Sequence, residues 1–132
     1  MKEKILTITI NKPAAEVFSF CLNPKNTPFW VDSIVKEETN EQPTKLGTIY
    51  RNVNQAGKWS EYKVIGFEQN KMFEFKLNDD NYHVRYTLTP FENNSCELEY
   101  FEWMENGDLI EPFTKEILEK LKTLIEKVKI IA

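Results

Sequence analysis

Between Leu46 and Met104 the chain returns five times to short apolar, aromatic-rich runs, at 47–53, 58–68, 72–78, 82–91 and 96–104, each followed by a polar turn. That spacing predicts an antiparallel meander. The last hairpin can be registered from the residues alone. Setting Leu88 against Leu98 across a turn at 91–95 also sets Tyr86 against Tyr100, Val84 against Glu102 and Tyr82 against Met104. One face is then apolar except for Glu102, while the other pairs Thr89 with Glu97, Thr87 with Glu99, Arg85 with Phe101 and His83 with Trp103. Such a sheet is covered on one side only, and a slip of one residue would invert both faces. The preceding hairpin aligns Ile65 and Phe67 with Phe75 and Phe73 around a turn at 69–71.

The cover for the apolar face comes after Gly107, where the hydrophobic period changes to 3.6. Ile110, Phe113, Ile117, Leu118, Leu121, Leu124, Ile125, Val128, Ile131 and Ala132 fall within an arc of about 140° on a helical wheel, with Ile130 off the stripe. A helix is therefore expected from near Asp108 or Pro112 to the end of the chain. Lys115–Glu119, Glu116–Lys120 and Lys122–Glu126 are i, i+4 pairs on its other side, each worth about 0.2–0.5 kcal/mol. At the other end of the chain, residues 4–10 alternate Leu6, Ile8 and Ile10 with Ile5, Thr7 and Thr9, the pattern of a strand. Asn11 is expected to cap a short helix that takes Pro13 in its first turn and lines up Ala14, Val17, Phe18 and Cys21. Asn23-Pro24 ends it, a second helical turn falls within 25–30, Val31–Glu38 is extended, and 39–47 is a connection.

These 132 residues show no internal repeat or linker and read as a single domain over 1–132, large enough to build a core without disulfides. With 17 Lys and Arg against 21 Asp and Glu, the chain has no basic surface for phosphates, so nucleic acid is excluded as a partner. Cys21 and Cys96 form no CxxC, and the chain contains no HExxH, Gly-rich phosphate loop or GxSxG, so no metal or cofactor is expected. No run approaches about 18 apolar residues and the amino terminus lacks a signal-peptide pattern. The expectation is a cytoplasmic protein without membrane insertion.

One strand, a short helical pair, a six-strand meander and a long amphipathic carboxy-terminal helix together resemble the START-related, Bet v 1-like (SRPBCC) superfamily, in particular its polyketide cyclase/dehydrase and lipid-transport group. The resemblance spans the chain and rests on ITINKPAAEVFSFCLNPKNTPFW at 8–30, LGTIYR at 46–51, EYKVIGFEQNKMFEFK at 61–76, YTLTP at 86–90 and LEKLKTLIEKV at 118–128. None of these pieces is an active-site motif. The resemblance implies an α+β helix-grip fold: a curved seven-strand antiparallel sheet wrapped around the long helix, with two short helices between strands 1 and 2 and a cavity between sheet and helix.

On that fold the expected occupant is a small hydrophobic molecule, such as a lipid, a polyketide or a related metabolite. The expected binding residues are Trp30, Tyr50, Trp59, Phe73, Phe75, Tyr86, Tyr100, Glu102, Ile117 and Leu121. Glu102 is the best candidate for chemistry, because a carboxylate on an apolar face loses solvation and its pKa rises toward the range of a general acid or base. A cyclase/dehydratase-type enzyme is thus one alternative. The plainer reading puts Glu102 at the cavity rim, solvated or paired with Lys63. His83 reads as a surface residue on the outer face beside Trp103, and Arg85 as a diagonal partner of Glu99, although Arg51 and Arg85 could also meet an acidic ligand. A third reading, resembling Hsp90 ATPase activator homologues, is a protein-interaction domain, and Phe101 and Trp103 on the outer face would also suit a homodimer.

Overall fold

The computed structural model describes residues 1–127. Its elements are β1 (Glu3–Ile10), α1 (Ala14–Leu22), α2 (Thr27–Trp30), β2 (Ile34–Thr39), β3 (Ile49–Asn54), β4 (Trp59–Glu68), β5 (Met72–Leu77), β6 (Tyr82–Pro90), β7 (Cys96–Met104) and α3 (Lys115–Lys127). All seven strands form one antiparallel, curled sheet in the order β1-β7-β6-β5-β4-β3-β2. The two short helices carry the chain from one edge strand to the other, and α3 packs along β1 and against α2. This is the helix-grip arrangement expected from the sequence.

The β6–β7 register is the one read from the residues, from Tyr82 opposite Met104 to Leu88 opposite Leu98. Alternation is also clean in β1, where Leu6, Ile8 and Ile10 turn inward and Ile5, Thr7 and Thr9 outward. The β4–β5 hairpin departs from expectation. Phe67 does face Phe73, but a bulge between Val64 and Gly66 places Val64, rather than Ile65, opposite Phe75. Ile65 is thereby left exposed. Gly66 permits the bulge, since a Cβ there would stand 3.3 Å from both Glu74 Cβ and Met72 Cε.

Both helix starts also differ from expectation. Asn11 does not cap α1; Pro13 occupies the cap position without a side-chain hydrogen bond, and the Asn11 backbone N–H donates instead to Glu126 Oε2 at 2.8 Å. The α3 helix begins at Lys115, beyond Asp108 and Pro112, where the Thr114 hydroxyl and carbonyl take up the Ile117 N–H. Ile110, which a continuous wheel would place on the apolar stripe, is 91% exposed because the chain there is not helical. The stripe buries Leu118, Leu121 and Ile125 in the core; the expectations for Val128, Ile130, Ile131 and Ala132 lie outside the described residues. Of the three expected i, i+4 pairs, Lys122–Glu126 forms at 2.6 Å, whereas Lys120 reaches across to Asp32.

Candidate functional site

A cavity of about 100 Å³ lies between the concave face of the sheet and the helices. Its wall is assembled from α1 and α2 (Cys21, Thr27, Trp30), the inner faces of β2–β7, and Phe113 from the segment before α3. Aromatic rings dominate it. Trp30 meets Tyr86 and Phe113 edge-on at 6.4 and 5.9 Å, Phe75 meets Tyr50 at 5.0 Å, and Phe113 stacks on Tyr100 at 4.3 Å. These edge-to-face and stacked contacts are the favoured geometries for ring quadrupoles. They brace the wall and keep the space from closing.

The sequence-predicted residues separate by depth. Trp30, Tyr50, Phe75, Tyr86 and Tyr100 line the cavity. Phe73, stacked on Tyr86 at 4.5 Å, and Leu121 are fully buried in the core behind it, and Ile117 packs on the edge of that core. Trp59 is 42% exposed, outside the cavity, with the Arg51 guanidinium over its ring at 5.0 Å.

Glu102 is neither solvated nor at a rim: it is 1% exposed, on the inner face of β7, one layer behind the cavity wall. Its Oε2 accepts the Phe113 backbone N–H at 3.1 Å. Burial pushes its carboxyl above the usual range, against the opposing pull of the Phe113 N–H, the Tyr100 and Tyr82 hydroxyls and the charge of Lys4. Lys63 is exposed and forms no ion pair with it; the cross-strand neighbours of Glu102 are Val84 on β6 and Lys4 on β1. The carboxylate thus anchors Phe113, and with it one side of the cavity, to the sheet.

The residue that sequence reasoning missed is Glu37. It lines the cavity, its Oε1 accepting the Thr27 hydroxyl at 2.6 Å and its Oε2 the Asn52 amide at 3.2 Å. Burial raises its pKa despite those two hydrogen bonds. In the sequence it is one of two adjacent glutamates, indistinguishable from a solvated pair. A bulge between Ile34 and Lys36 decides the matter, because it resets the alternation of β2. Ile34 and Glu37, three residues apart, both line the cavity, while Glu38 turns outward to Arg51 at 3.7 Å.

Tyrosine hydroxyls supply most of the remaining polarity. Tyr50 Oη donates to the Leu22 carbonyl at 2.6 Å and accepts from Thr44 Oγ1 at 2.5 Å. Burial pushes the Tyr50 and Tyr62 hydroxyls up to about 12, so both remain protonated donors. Tyr82 and Tyr100 hydroxyls lie 3.4 Å apart. The indole N–H of Trp30 is buried without a hydrogen-bond partner among the described residues. Cys21 and Cys96 are free and buried, and burial pushes both thiols up. Among the described residues no His, Cys, Asp and Glu group could hold a metal ion.

The outer face of the sheet differs from its sequence reading in two places. His83 does lie beside Trp103, with the rings stacked at 4.7 Å, but it is buried, because Trp103 covers its ring and Glu105 Oε1 approaches Nε2 to 3.3 Å. Arg85 pairs with Glu74 at 3.4 Å rather than with Glu99, and its guanidinium lies over Phe101 and Trp103. Neither Arg85 nor Arg51 faces the cavity. A second depression, about 410 Å³, is bounded by the end of α1, the β2–β3 connection and the β4–β5 turn. It lies outside the sheet–helix interior and gathers no comparable cluster of rings.

No family model and no curated protein matches the chain. Solved structures do. A START superfamily protein from Mycobacterium smegmatis superposes with a TM-score of 0.72 at 15% identity, covering 96% of this chain and 99% of that one. Protein MLL2253 from Mesorhizobium loti gives 0.73 at 16%, covering 98% and 100%. Norcoclaurine synthase from Thalictrum flavum, a point mutant in complex with a transition state analogue, gives 0.66 at 13%, covering 96% and 94%. The chain therefore has the helix-grip fold of the START-related, Bet v 1-like superfamily. At these identities the likeness concerns the fold. No helix among the described residues is long and apolar enough to cross a membrane.

Proposed function

We propose that the protein binds a small hydrophobic molecule in the cavity between the sheet and the helices. The observation that carries this reading is the cavity wall itself, where aromatic rings brace one another around an apolar space into which Tyr hydroxyls and one carboxylate intrude. That combination, apolar lining with a few fixed polar groups, is how small-molecule sites obtain affinity by burial and orientation by hydrogen bonding. Apolar burial at about 25 cal/mol per Å² supplies the affinity for the ligand's apolar body. The acid–base alternative is supported less well, since Glu102 lies behind the wall and is engaged by the Phe113 N–H. The homodimer alternative is also weaker, because Arg85 and His83 already cover the rings of Phe101 and Trp103.

The test is native mass spectrometry of gently purified protein, followed by organic extraction of any adduct. A discrete adduct of small-molecule mass is expected, together with its loss in Ile34→Trp, a substitution at the edge-strand end of the cavity that fills it from the side. Retention of the same adduct by a folded Ile34→Trp variant would place the ligand elsewhere. A clean apo mass, with no uptake from a panel of apolar compounds, would refute the reading.

A further inference from the structure

One charged side chain lines the cavity among the described residues. Glu37 lines it, and among the described residues no Lys, Arg or His does. Its neighbours do not neutralise it. Thr27 and Asn52 are uncharged donors, one to each oxygen. On the neighbouring strand Arg51 is drawn away to the outward-facing Glu38. A carboxylate can accept about four hydrogen bonds, so half of its capacity stays open. Trp30, Tyr50, Tyr62, Phe75 and Tyr86 surround the same space, and aromatic faces are the surfaces that attract cations.

We propose that the occupant is a small organic cation, a protonated amine on an aromatic or apolar body, with its ammonium directed to Glu37 and its body held among Trp30, Tyr50, Tyr62, Phe75 and Tyr86. This rests on the cavity-binding reading above and narrows it to a chemical class. Three features converge on it. The carboxylate has unfilled acceptor capacity, no cation among the described residues pairs with it, and an aromatic wall suits a positive charge in a desolvated site. An anionic ligand such as a fatty acid would meet the same carboxylate with no cation to offset the repulsion. Burial of Glu37 makes an unpaired negative charge costly, and a bound ammonium removes that cost.

The experiment compares three probes that share one ring: benzylammonium, benzyl alcohol and benzoate. Each is titrated into the full chain by calorimetry, with tryptophan fluorescence as a second readout. Benzylammonium is expected to bind at least about tenfold more tightly than benzyl alcohol, with benzoate the weakest. In Glu37→Gln, which keeps an acceptor for Thr27, the ratio of ammonium to alcohol should collapse to within about twofold. Benzyl alcohol or benzoate binding as tightly as benzylammonium would overturn the charge assignment while leaving the cavity reading intact. A ratio undiminished in Glu37→Gln would overturn the role of Glu37. Failure of all three to bind a wild type that takes up an apolar compound by native mass spectrometry would overturn the charge assignment alone, whereas a wild type that takes up nothing from the panel removes the cavity reading as well. The wild-type ranking decides the question even if Glu37→Gln does not fold.

Discussion

Removing the Tyr50 hydroxyl tests whether the cavity wall is held in place by hydrogen bonds at the end of α1. Tyr50 is 2% exposed, and its hydroxyl joins three separate pieces of chain: β3, the carbonyl of Leu22 at the end of α1, and Thr44 in the β2–β3 connection. Tyr50→Phe keeps the ring, and with it the contact to Phe75 at 5.0 Å, so that packing is unchanged. It deletes two buried hydrogen bonds, worth about 1 kcal/mol each net, and strands the Leu22 carbonyl, for an expected loss of about 2–3 kcal/mol. With an unfolding entropy near 0.28 kcal/mol per degree for a chain of this length, the melting temperature should fall by about 7–11 °C. Thr44→Val is the graded control: it removes one acceptor–donor pair but leaves the bond to Leu22, and should cost about 1 kcal/mol. Urea and thermal unfolding of both variants and of the double mutant measure this directly. The double mutant should lose less than the two single losses combined, because both remove the same bond. A Tyr50→Phe loss below about 0.5 kcal/mol would refute the argument, showing that the hydroxyl contributes no more than water would.

Glu102→Gln should gain stability relative to wild type as the pH rises. Burial holds the wild-type carboxyl above its unfolded range, so its stabilising protonation is complete below the ordinary carboxylate pKa and is lost as pH rises through the raised value; urea midpoints across that window measure the difference. Glu126 behaves in the opposite sense. Burial pushes its carboxyl up, but the hydrogen bonds from Lys122 and the Asn11 N–H and the Lys122 charge outweigh that and hold it below the usual range. Glu126→Gln should therefore cost about 0.5–1 kcal/mol at neutral pH, a gap that closes as pH falls through the lowered value and that denaturation in acid would reveal. Gly66→Ala should cost about 1 kcal/mol by crowding Glu74 and Met72 at the β4 bulge, read as a lower urea midpoint with an unchanged slope.

Much of the fold is legible in particular residues. The β6–β7 hairpin could be registered because its two faces differ so sharply that only one alignment keeps Tyr86, Leu88, Leu98 and Tyr100 together. The apolar stripe of α3 was equally plain over Leu118, Leu121 and Ile125. Its start was not, because a helical wheel continues through Ile110 and Phe113 without registering that Phe113 is claimed by Glu102 and Thr114 caps the helix.

The candidate site was legible only in part, for a related reason. Period-2 reasoning assigns faces correctly until a strand bulges, and bulges in β2 and β4 each reset it. That is why Ile65 was aligned with Phe75, and why alternation along Val31–Glu38 would not bring Ile34 and Glu37 to one face. Depth is the other quantity that alternation does not encode: Phe75 and Phe73 share a face, but one borders the cavity and the other lies behind it.

By itself, then, the amino-acid order determined the order of strands and helices, the register of β6 on β7 and the buried stripe of α3, since these depend on local period and nearest-neighbour pairing. Only the tertiary structure decided that a carboxylate from an edge strand stands among aromatic rings from α2, β3, β4, β5 and β6. That juxtaposition arises from two bulges and the curl of the whole sheet, which no local stretch of the chain specifies alone.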